Sequence, residues 1–115
     1  MDPKSKWTFY VNKLYDAELQ TKKCINDYRN YKQKLGAFRY ENGVSVNQRQ
    51  LFQIPPIKFI DDIFTAKART QFCKLKIEFY KTITLEGENL SNREKLSNLE
   101  AECGKLLKIH GNNLA

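Results

Sequence analysis

The chain has 115 residues; 20 Lys and Arg against 13 Asp and Glu give a net charge of +7, and 41% of the residues are hydrophobic. That length fits one domain with a modest core, which excludes a multidomain enzyme and a wholly disordered tail. No apolar run approaches the roughly eighteen residues of a membrane helix, and Met1-Asp2-Pro3-Lys4 lacks the pattern of a signal peptide. The expectation is an intracellular protein, cytoplasmic in first place, with no membrane insertion.

The first segment, about 3–35, has heptad periodicity. One series is Trp7, Leu14, Thr21, Tyr28 and Leu35, and a second is Tyr10, Ala17, Cys24, Tyr31 and Phe38. Steps of three and four keep both on one side of a long amphipathic helix. Asp2 before Pro3 reads as an N-cap followed by a first-turn proline, and Gly36 reads as the stop.

Between Gly36 and Pro56 the pattern breaks. Asn42-Gly43, flanked by Phe38-Arg39-Tyr40 and Val44-Ser45-Val46, is a hairpin signal; Ser45 and Gln48 instead have capping-box spacing for a short helix. Both readings stand at this point. The apolar residues Phe38, Tyr40, Leu51, Phe52 and Ile54 make 36–56 an ordered connection rather than a free linker.

The third segment, 57–86, is apolar on two opposite faces. Ile57, Ile60, Phe64, Ala68, Phe72, Leu75, Phe79 and Ile83 form one stripe; Phe59, Ile63, Ala66, Cys73, Ile77 and Tyr80 form the other. A helix with two such stripes needs two partners. Residues 75–85 also alternate like a half-buried strand, but unbroken helical periodicity favours a helix. Gly87 ends this segment. Ser91-Asn92-Arg93-Glu94 has capping-box spacing, and Leu96, Leu99, Cys103 and Leu106 make the stripe of a last helix, 91–110, that stops at Gly111. The tail, 112–115, has no evident anchor and is expected to fray.

The predicted fold is mainly α: a long antiparallel helical hairpin with a short third helix, a three-helix bundle or coiled-coil-like domain over 1–111. The alternative is an α+β domain with a small hairpin and a strand near 75–85.

No catalytic inventory accompanies this architecture. His110 is the lone histidine, with no serine, cysteine or carboxylate beside it to suggest a relay. Cys24, Cys73 and Cys103 are far apart and include no C-x-x-C pair, so they read as buried thiols rather than zinc ligands with His110 or a disulfide framework. Asn89-Leu90-Ser91 matches a glycosylation sequon but carries no weight without a secretory signal. No enzyme activity, metal or cofactor is expected.

Two binding readings remain. Residues 1–35 carry eight basic and four acidic residues, and Lys22, Lys23, Arg29, Lys32 and Lys34 lie among Tyr28 and Tyr31, as phosphate contacts with base stacking require. The favoured reading rests on surplus apolar surface: seven Phe, six Tyr and one Trp are many for so short a chain. It makes the protein a small subunit or adaptor docking through Phe52, Ile54, Phe59, Ile63, Ile77 and Tyr80, with a basic rim suited to an acidic or apolar partner surface within a larger assembly. Nucleic acid is the alternative partner, and self-association is left open.

Overall fold

The computed structural model describes the backbone of residues 2–42 and 56–114, and the side chains of 2–36 and 57–114. These form α1 (Pro3–Asn42), α2 (Pro56–Glu86), α3 (Arg93–His110) and a closing 3₁₀ turn (Gly111–Leu114). α1 and α2 pack as an antiparallel hairpin, and α3 lies antiparallel on the opposite face of α2. The molecule is a rod of 66 × 23 × 20 Å with a radius of gyration of 19.9 Å. A compact domain of this length has a radius of about 13 Å. Among the described residues there is no strand, and 75–85 lie inside α2, so the α+β alternative is excluded.

The helix ends follow from local chemistry. Asp2 Oδ1 accepts the Ser5 backbone N–H at 2.7 Å, the expected N-cap, and this hydrogen bond holds the Asp2 carboxyl below its ordinary pKa. α2 starts on Pro56, whose missing N–H is no loss in a first turn. It ends where Gly87 takes φ 73° and donates its N–H to the Ile83 carbonyl. Gly111, φ 56°, closes α3 by donating to the Leu107 carbonyl.

Four expectations need correction. α1 does not stop at Gly36 but runs to Asn42. An interior glycine costs about 1 kcal/mol relative to alanine, too little to end a helix of forty residues. The strand Phe38-Arg39-Tyr40 of the expected hairpin is therefore helical; the rest of that hairpin and the Ser45 helix lie outside the described residues. The start of α3 is organised by Asn89 rather than Ser91. Asn89 Oδ1 accepts from the Ser91 and Asn92 backbone N–H groups at 3.0 and 3.1 Å and from the Ser91 hydroxyl, while its Nδ2 donates to the Glu86 carbonyl. Finally, Asn113 and Leu114 of the tail are docked. Leu114 is 3% exposed and packs with Ala68, Phe72 and Cys103, and Arg69 Nε donates to the Asn113 carbonyl.

Candidate interaction surface

The seam between α1 and α2 has small residues in its middle and aromatic rings toward both ends. Ala17, Cys24, Ala66 and Cys73 are buried and let the two helices approach closely. Thr21 and Thr70 meet in this middle region with hydroxyls 3.4 Å apart, each also donating to the carbonyl four residues earlier. At one end Tyr10 stacks on Tyr80 with centroids 5.9 Å apart; at the other Phe59 lies 5.9 Å from Tyr28 and 4.9 Å from Tyr31. Lysine stems shield the edges, with Lys6 Nζ 5.3 Å from the Tyr80 ring and Lys32 Nζ 5.0 Å from that of Tyr28.

This seam accounts for residues expected on a free surface. Phe59 and Tyr80 are engaged with α1, and Ile63 and Ile77, on the same side of α2, are half-buried. Phe52 and Ile54 lie outside the described residues. The face of α2 chosen from sequence as the docking face is thus the one covered by α1.

The opposite face of α2 is covered over only part of its length. Glu78 meets Lys95 at 2.9 Å, an ion pair that holds the Glu78 carboxyl below its ordinary pKa and raises that of Lys95. Further along, Ala68 and Phe72 pack with Cys103 and Leu114, with Tyr10, Leu75 and Leu106 at the margin. His110, the last residue of α3, sits 5.0 Å from the Phe64 ring. There the chain turns back, sending Asn113 to Arg69 and Leu114 to Phe72. Ile57 and Ile60 lie beyond the end of α3 and Phe64 lies against its last residue, at 60, 47 and 60% exposure respectively. Their spacing puts them on one stripe about two turns long. On α1, Val11, Tyr15 and Leu19 recur at steps of four and make a second exposed apolar stripe on its outer side, with Phe9 exposed apart from them.

Charge is distributed as unevenly as cover. Residues 22–36, 57–67 and 106–114, which make the end carrying this step, hold eight Lys and Arg against three Asp, a share of +5. Residues 2–21 and 68–105, the other end, hold ten basic against nine acidic residues, or +1. Lys22, Lys23, Arg29, Lys32 and Lys34 all belong to the basic end and are exposed. The tyrosines among them are committed elsewhere: Tyr31 is buried and Tyr28 lies against Phe59, so neither offers the open ring face that base stacking needs.

The three cysteines are free and buried. Burial pushes the thiols of Cys73 and Cys103 and the hydroxyl of Tyr10 above their ordinary pKa values; the proximity of Tyr80 and the two thiols adds to the shift at Tyr10. Among the described residues no three of His, Cys, Asp and Glu gather closely enough to hold a metal ion, and no helix is long and apolar enough to cross a membrane. No family model, curated protein or solved structure matches the chain.

Proposed function

We propose that the protein is a non-enzymatic helical interaction module, a small subunit or adaptor that docks on an acidic protein partner through apolar helix surface bordered by lysine and arginine. The observation that carries this reading is the bare stripe of Ile57, Ile60 and Phe64 at the end of the rod that holds most of the net charge. Burying the half of each of these side chains that is still exposed is worth about 1 kcal/mol apiece, a free energy that a partner would recover. The positive charge of that end of the rod as a whole adds steering toward negative charge.

The test is affinity capture of the intact chain from a native lysate with nuclease treatment. A protein partner is expected to survive the nuclease and to be lost when Ile60→Asp and Phe64→Asp are introduced together. Capture that vanishes with nuclease, or that depends only on Lys22, Lys23 and Arg29, would overturn the docking proposal in favour of phosphate binding.

A further inference from the structure

The side of α1 turned away from α2 is open along its described length. At 100° per residue, the positions opposite the buried Ala17, Cys24 and Tyr31 fill an arc of about 120°. From Lys4 to Gln33 every residue on that arc is exposed and none is acidic, since Asp16, Glu18 and Asp27 fall outside it. The arc changes character on the way. Val11, Tyr15 and Leu19 come first, at 45, 66 and 49% exposure. Lys22, Lys23, Asn26, Arg29, Asn30 and Gln33 follow, with no apolar residue among them.

The charge is local to this stretch of helix. Residues 2–21 hold three basic and three acidic side chains, whereas 22–34 hold five basic against Asp27 alone, +4 within about 18 Å. The ion pairs among the described residues, Glu78–Lys95 and Glu102–Lys105, involve none of these cations. Lys32 lies over the Tyr28 ring at the edge of the seam, which leaves Lys22, Lys23 and Arg29 on the open arc. Amides interleave these cations, and amides with lysine and arginine are the groups that meet phosphate, sugar and base edges. Tyr15, about 10 Å back along the axis from Lys22, supplies the open ring that Tyr28 and Tyr31 do not. A protein interface would need an apolar centre that 22–33 lack on this arc. Insertion into a lipid surface would bury Asn26, Asn30 and Gln33 without partners. We infer that the outer face of α1 from Tyr15 to Gln33 binds single-stranded nucleic acid, with Lys22, Lys23 and Arg29 on phosphates, the amides on sugars and base edges, and the Tyr15 ring under an unpaired base. This face lies across the rod from Ile57, Ile60 and Phe64 and does not depend on the docking proposal.

The probes are fluorescein-labelled single strands of about fifteen nucleotides and mixed sequence, one RNA and one DNA, titrated with the intact chain by anisotropy. Three phosphate contacts on a single strand give a slope of about −2 for log affinity against log salt. Lys22→Gln, Lys23→Gln and Arg29→Gln together should weaken binding at least about ten-fold and flatten that slope toward zero. Tyr15→Ser should weaken it about five-fold or more with the slope unchanged, and Tyr15→Phe should restore it. Lys74→Gln, Lys81→Gln and Lys105→Gln remove the same charge from α2 and α3 and should cost less than about three-fold. Ile60→Asp with Phe64→Asp should leave strand binding as it is. Circular dichroism checks that each variant keeps its helicity.

No binding of either strand up to about 100 μM at low salt overturns the inference. So does an equal loss from the two triple substitutions, which makes the attraction one of bulk charge. A duplex that binds as tightly as the single strands and ignores Tyr15→Ser counts against it, as does polyglutamate that displaces the strands at equal charge. Phosphatidylserine vesicles that displace them from the parent chain but not from Leu19→Ser would make a lipid surface the partner instead. Strand binding that fails while a nuclease-resistant protein is still captured leaves the docking proposal standing, and the reverse outcome leaves this one.

Discussion

The two faces of α2 are similarly apolar, yet they come to different ends. The face toward Phe59, Cys73 and Tyr80 meets a helix longer than itself, with small buried residues where the backbones come near and half-buried rings toward the extremities. The face toward Phe64, Phe72 and Leu75 meets a helix little more than half its length and is closed only where α3 and the C-terminal turn reach. Apolar periodicity states that a face wants a partner. The lengths of the neighbouring elements decide where that partner is missing.

Four measurements would break or sharpen this contrast. The largest effect is expected at Phe72, where the two seams meet: it touches Tyr10 of α1 and clusters with Cys103 and Leu114. Phe72→Ala should cost about 3–5 kcal/mol in urea denaturation. A loss below about 1 kcal/mol would mean that the seams are independent.

Leu114→Ala tests the short seam alone. With Leu114 packed on Ala68 and Phe72, the expected loss is about 2–3 kcal/mol, and amide exchange should quicken in α3 before α1. No loss of stability would return the tail to the frayed state expected from sequence.

Alkaline titration comes third. The folded protein raises the pKa values of Cys73, Cys103 and Tyr10, so above about pH 9 the unfolded chain sheds these protons more readily than the folded one. Stability present at neutral pH should therefore fall as pH rises through this range, and Tyr10→Phe should blunt the fall. Thermal midpoints unchanged between pH 8 and pH 10.5 would contradict the burial of these groups.

The smallest effects separate two glycines. A methyl group added at Gly36 meets no atom within 4 Å, and the residue sits inside α1, so Gly36→Ala should stabilise by about 0.5–1 kcal/mol. Gly87, at φ 73°, should lose about 1 kcal/mol or more on the same change, because a Cβ is strained there whatever the space. Were Gly36→Ala instead to destabilise, α1 would not continue through that position.

Much of the fold was legible in the sequence. The series Tyr10, Ala17, Cys24 and Tyr31 falls on the packed side of α1, and the unbroken pattern through Leu75–Leu85 read correctly as helix. The errors arose where one residue was asked to decide. Gly36 resembled a stop, but its cost is local and small while the gain from the surrounding helix is cooperative. Leu114 resembled a loose end because its anchor, the pocket at Ala68 and Phe72, is distant in sequence and carries no local signal. Asn89 could have been found: asparagine is as strong a cap former as serine, and it stands two residues ahead of Ser91. Both stripes of α2 were in the sequence with no means of ranking them, since which one stays exposed depends on where α3 ends.

The placement of charge on a rod 66 Å long has a kinetic side. With +5 of the +7 gathered in one half of the rod, net positive charge is unevenly placed along its long axis. A negatively charged surface then exerts a torque as well as a pull, rotating the rod basic end first before contact. Of the orientations available to a tumbling cylinder, those with the basic end leading are enriched during approach. Added salt should consequently slow the rate of association more than it hastens the rate of release.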